Sequence, residues 1–161
     1  MLQSAHDFGP APDDVVDALV TASRALVAVA ARSLAATDEQ VTLPQYRSLV
    51  VLAARGPQTV GQLAEQLQLH PSTTSRMCDR LVAKQLVDRA PGPESRREVV
   101  VSLLPGGREI VRKVTARRRR EVGAILARVP ESLWPSLIDA LDAFSDAAGE
   151  QPEQAWSMGW S

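Results

Sequence analysis

Between Gln85 and Leu103 the hydrophobic period of this chain changes, and that change restricts the fold more than any other feature. Upstream, apolar residues recur every three or four positions. Val60, Leu63, Ala64 and Leu67 make one such stripe, and Thr74, Met77 or Cys78, Leu81 and Gln85 make a second in the segment that opens at Pro71. Downstream, LVDRA and REVVVSL have strand character, with Val99, Val100 and Val101 in one β-branched run. The cluster PGPES lies between them and permits a hairpin turn. Two short helices joined by the tight turn QLHP and followed at once by a hairpin leave few ways to close a core.

The remaining segments are helical. Val16, Leu19, Val20, Ser23, Leu26, Val27, Ala30 and Leu34 keep helical spacing after PAPDD, where Asp13 or Asp14 can accept from unpaired first-turn amides. Pro44 opens a second helix that runs to Ala54 and is broken by RGPQT. A long helix starts near Pro105, and a last one carries Leu133, Leu137, Ile138, Leu141 and Phe144 on one face. The expected fold class is mainly α: a winged helix-turn-helix with a two-stranded wing, its N- and C-terminal helices forming a dimerisation lobe. The expected divisions are a flexible arm over 1–12, one domain over 13–149 and a tail over 150–161. Within the domain, 13–43 and 105–149 are the dimerisation helices and 44–104 the DNA-binding lobe.

The helix from Pro71 directs its chemistry outward. With Thr74, Met77, Cys78 and Leu81 inward, Ser72, Thr73, Ser75, Arg76, Asp79 and Arg80 remain on the outside. Short hydroxyl side chains are mediocre helix formers, and capping accounts for one of them at most. A helix seated deep against another surface accounts for the rest, because short donors and acceptors allow close approach. Charge says which surface. Residues 71–120 hold 13 basic and 5 acidic side chains, a net of +8, between flanks of −3 and −6. A basic centre within a chain of net −1 suits a polyanion. Ser72, Thr73 and Ser75 can bond base edges or phosphates, Arg76 can bridge guanine or clamp a phosphate, and Arg80 meets the backbone.

Other chemistries find little support. One cysteine cannot form an internal disulfide, and Cys78 with His6 and His70 is too few soft ligands for a metal site. There is no nucleophile–base pair and no phosphate-cradling glycine loop, so neither an enzyme nor a cofactor is expected. No run approaches the roughly 20 apolar residues that span a bilayer, and the first residues lack a signal-peptide pattern. A cytoplasmic protein without a membrane partner is expected.

The run LPQYRSLVVLAARGPQTVGQLAEQLQLHPSTTSRMCDRLVAKQLVDR and the wing after it resemble the MarR family of bacterial transcription regulators, over about Asp13 to Gly149. The family wing reads Asp-x-Arg, five residues, Leu-Thr, then a glycine; here Ser95-Arg96-Arg97, EVVVS, Leu103-Leu104 and Gly107 stand in those places. The resemblance implies a homodimeric repressor of a pseudo-palindromic operator in double-stranded DNA, with Arg96 and Arg97 gripping the minor groove. It also implies a small organic effector, for which Tyr46 is the candidate contact. Three positions depart from the pattern. Ser95 replaces an aspartate, Leu104 replaces a threonine cap, and His70 takes the cap position before the helix that reads DNA. An activator or anti-repressor working through protein contacts is the alternative reading, and a redox switch through Cys78 a further one. Cys78 lies on the inward stripe, where a thiol behaves as a small apolar group.

Overall fold

The computed structural model of the chain describes residues 9–37, 40–92 and 98–150. Helix α1 (Asp13–Ala35) leads to α2 (Leu43–Arg55), a two-residue strand β1 (Gln58–Thr59), α3 (Val60–Leu67) and α4 (Pro71–Ala83). Strands β2 (Val87–Pro91) and β3 (Val99–Leu103) follow, then α5 (Pro105–Leu126), a 3-10 turn (Glu131–Leu133) and α6 (Trp134–Ala147). This is the expected winged helix-turn-helix, with one addition. The sheet has three strands in the order β1-β3-β2, because Gln58 and Thr59 pair antiparallel with Val101 and Val100. Two residues show no alternation, so β1 left no periodic signal in the sequence.

The core sits where α2, α3, α4, the sheet and the first half of α5 converge. Leu49, Leu63, Leu81, Val101, Val111 and Val114 are all fully buried there. Each such side chain contributes roughly 1.5–3 kcal/mol relative to exposure. Local chemistry sets the helix starts. Thr42 and Gln45 form a capping box at α2, and Thr59 and Gln62 form another at α3. Each box satisfies two backbone donors that the first turn leaves unpaired. Helix α5 has no side-chain cap at Leu104, as the replaced threonine implies, but Pro105 holds its first position.

The end of α4 corrects one expectation. Gln85 is exposed rather than inward, and the helix stops at Ala83. The Gln85 backbone is left-handed, at φ 57. Its amide donates to the Val82 carbonyl at 2.8 Å and that of Leu86 to the Leu81 carbonyl at 3.0 Å, a closure that buries Leu86. The chain then runs into β2 under the start of α5. Gly107 makes that approach possible: a Cβ there would overlap the Leu86 carbonyl oxygen and lie 2.6 Å from Leu103 Cδ1.

The outer helices are packed on one side only. Val29, Ser33 and Leu34 are the buried residues of α1, whereas Val15, Val16, Val20, Leu26 and Val27 are exposed. Helix α6 has no buried residue at all. Its Ile138, Leu141 and Phe144 are 58%, 45% and 52% exposed.

Candidate nucleic-acid interface

Helix α4 is anchored through Thr74, Met77, Cys78 and Leu81, all buried. Because 3.6 residues make a turn, Ser72, Arg76 and Asp79 are carried to the opposite side. At the entry, His70 caps the helix: its Nδ1 accepts from the Ser72 backbone N–H at 3.3 Å and lies 2.8 Å from Ser72 Oγ. Pro71 takes the first helical position, where its missing N–H costs nothing. The Thr74 hydroxyl donates to the His70 carbonyl at 3.3 Å and so points back into the fold.

Two flanks of the exposed face differ in chemistry. Toward α2, Thr73, Arg76, Met77 and Arg80 line a cleft of about 260 Å³ with Thr42, Pro44, Gln45 and Leu69. Neither Arg76 nor Arg80 has a carboxylate within ion-pair distance among the described residues, so both cations are available to a ligand. Toward the wing, Arg89 of β2 reaches across to α4. Its guanidinium donates to Ser75 Oγ at 3.2 Å and pairs with the Asp79 carboxylate, while its Nε is buried without a partner among the described residues. Ser75 is half-buried, and its hydroxyl already accepts from Arg89. Lys84 is engaged too, its Nζ donating to the Gln40 carbonyl.

The Arg89–Asp79 pair escaped the sequence reading. Its only trace there is that Asp79 stands four residues after Ser75, and which strand residue would meet them depends on the sheet register. Arg96 and Arg97 lie outside the described residues, as does Ser95. Tyr46 is 4% exposed, and its hydroxyl is 3.5 Å from Thr115 Oγ1 of α5. Cys78 is fully buried. Burial pushes its thiol pKa up, and nearby Arg89 offsets that only partly. A thiol so placed holds little of the reactive thiolate.

Residues 41–99, from the residue before the α2 cap to the first residue of β3, match the model of the MarR family. The HTH-type transcriptional regulator Mb0904 of Mycobacterium bovis is 32% identical over 112 residues, covering 70% of this chain and 78% of the relative. The chain belongs to the MarR family. YsmB, an HTH-type transcriptional regulator of Bacillus subtilis, is 37% identical over 79 residues. That match covers 49% of this chain, which spans about half of YsmB, 54% of its length. Among solved structures, RV1404 from Mycobacterium tuberculosis is 44% identical with a TM-score of 0.83, covering 91% of this chain and 99% of that one. A MarR-family protein from Bacillus stearothermophilus has a TM-score of 0.71 at 24% identity, covering 88% and 100%, which extends the likeness of fold alone. Transcription regulation and DNA binding are the properties that this family membership supplies.

Proposed function

We propose that the protein is a sequence-specific repressor that binds a pseudo-palindromic operator as a homodimer. The observation that carries this reading is the disposition of α4. It is fixed to the core by one face and offers Ser72, Arg76 and Arg80 on the other, beside the paired strands β2 and β3, between which Arg96 and Arg97 stand in the sequence. A helix so mounted fits the major groove, and the hairpin beside it reaches the adjacent minor groove. The exposed apolar faces of α1 and α6 supply the reason for a second copy, which would place two α4 helices about one helical turn of DNA apart.

Within this reading, Arg76 and Arg80 supply the long-range and phosphate terms and Ser72 and Thr73 sit close to base edges. His70 sets the entry of α4, and its exposed ring is within reach of the backbone. Ser75 acts with Arg89 rather than alone. Arg96 and Arg97 grip the wing contact. An organic effector working through Tyr46 would have to part α2 from α5, since that side chain is nearly inaccessible in the free fold. The curated repressor NicR of Pseudomonas putida is 33% identical over 72 residues and covers 46% of its own length in that match, which favours repression over activation.

Binding curves against salt for a selected duplex and a scrambled one test the proposal. The logarithm of affinity should fall linearly with the logarithm of salt, and Arg97→Ala should reduce that slope by about one released counterion. Equal affinity for both duplexes, or no salt dependence, would turn the reading toward an activator or anti-repressor that works through protein contacts.

A further inference from the structure

On the side of α5 away from Tyr46, a cleft of about 280 Å³ lies between the end of α1 and the middle of α5. We infer that it is a binding site for a compact, multiply charged oxyanion, of the phosphate or polycarboxylate class. Four cations line it, Arg112, Lys113, Arg117 and Arg120, and among the described residues no carboxylate does. Lys113, Arg117 and Arg120 come from one helix at steps of four and three residues and so share one strip, with Arg112 at its edge.

Neighbouring carboxylates only partly neutralise this strip. Glu109 serves both Arg112 and Lys113, at 2.6 and 3.7 Å. Glu121 is shared between Arg117 and Arg32 of α1, at 3.1 and 3.0 Å. Arg120 has no carboxylate within ion-pair distance among the described residues. The hydrogen bond from Arg112 leads the effects that hold Glu109 below the usual carboxylate range. For Glu121, desolvation acts upward, but Arg32 and Arg117 together outweigh it. Both carboxylates are thus committed as anions at neutral pH, and positive charge is still left over.

The second observation is independent of charge. Ser33, on the α1 wall of the cleft, is 1% exposed, and its Oγ is buried without a hydrogen-bond partner among the described residues. A buried hydroxyl is ordinarily satisfied, and rotation of the Ser33 side chain toward the cleft would let a ligand oxygen satisfy it. The rest of the lining is Thr37 and two alanines, Ala36 and Ala116. With no aromatic or large aliphatic wall, the cleft gives a flat apolar ligand nothing to pack on. Thr37 Oγ1 already donates to the Leu34 carbonyl, so charge and the Ser33 hydroxyl are what the cleft offers.

Titration calorimetry of the full-length protein without DNA, at constant ionic strength set with chloride, tests the inference. Inorganic phosphate, citrate and benzoate are the probes. Saturable binding of phosphate or citrate at one site per chain, with benzoate silent, is expected, and whichever binds more tightly identifies the class. Arg120→Ala should weaken it about tenfold or more, as loss of a charged hydrogen-bond partner does. Ser33→Ala is the sharper variant, because alanine suits a helix interior and removes the orphaned hydroxyl. It should fold as stably as the parent yet bind the anion several-fold more weakly. If Ser33→Ala left anion affinity unchanged, the hydroxyl would be merely buried and the site would fall. If no probe bound the parent protein, the site would fall as well.

Discussion

Helices α4 and α6 are nearly the same length and both amphipathic in sequence, yet their apolar faces meet different fates. Of the 13 residues of α4, Thr74, Met77, Cys78 and Leu81 are buried within the chain. Of the 14 residues of α6, none is. An apolar stripe is therefore a statement that a face needs covering, not that its own chain covers it. In α4 the covered face frees the opposite one to carry function. In α6 the face stays uncovered within the chain, and a second copy is its proposed occupant.

The largest effect that can break this contrast is in the core. Leu81→Ala should cost about 2–5 kcal/mol in chemical denaturation, whereas Ile138→Ala, measured where the protein is monomeric, should change stability by less than about 0.5 kcal/mol. Equal losses would mean that α6 is buried after all. Next, Phe144→Asp should weaken self-association by about a hundredfold or more, since an apolar interface cannot solvate an unpaired carboxylate. Its helical circular dichroism should be unchanged. Light scattering across a dilution series reads this directly, and an unaltered mass would remove α6 from the interface.

On the α4 side, Arg76→Ala should reduce DNA affinity roughly tenfold to a hundredfold, as expected for losing a charged hydrogen-bonding partner. Ser75→Ala should do less, because that hydroxyl is already held by Arg89. Anisotropy titrations with both variants sharpen which flank of the helix touches DNA. Gln85→Gly should stabilise the fold by about 1 kcal/mol by relieving a left-handed backbone at a residue with a Cβ. A thermal melt would show it.

The smallest effect concerns α1, the other half-covered helix. Glu121 has a lowered folded pKa, so its tie to Arg32 and Arg117 stabilises the fold fully above the ordinary carboxylate value of 4.5. That contribution is lost as pH falls through the lowered folded value. Glu121→Gln should therefore flatten the acid limb of a stability–pH curve and leave neutral DNA binding intact. An identical acid limb in both proteins would remove this link between α1 and α5.

How much of this was legible beforehand follows the same physics. The stripes of α3 and α4, the shift to β-branched residues at Val99–Val101, and the hydroxyl-rich first turns of α4 were all visible. Each reflects a repeat that local geometry imposes on sequence. The two-residue β1 was not visible, since pairing with β3 rather than its own composition makes it a strand. Gln85 was misplaced because the docking of Leu86 beneath α5, through the gap at Gly107, decides where α4 ends. Arg89 was missed for a related reason. Its contact with Ser75 and Asp79 exists only once a strand and a helix are brought side by side, and no spacing along the chain encodes it. The face of α6 was read correctly as apolar, but a single sequence does not say what covers it.

The central claim is that one face of α4 meets DNA while α6 brings a second α4 alongside it. Sedimentation of the protein with a selected operator duplex, at a salt concentration where both are soluble, measures this in one experiment. The account predicts a complex of two chains per duplex for the parent, and loss of that complex at the same concentration for Phe144→Asp. A single chain bound per duplex, or a two-chain complex that Phe144→Asp leaves intact, would contradict it.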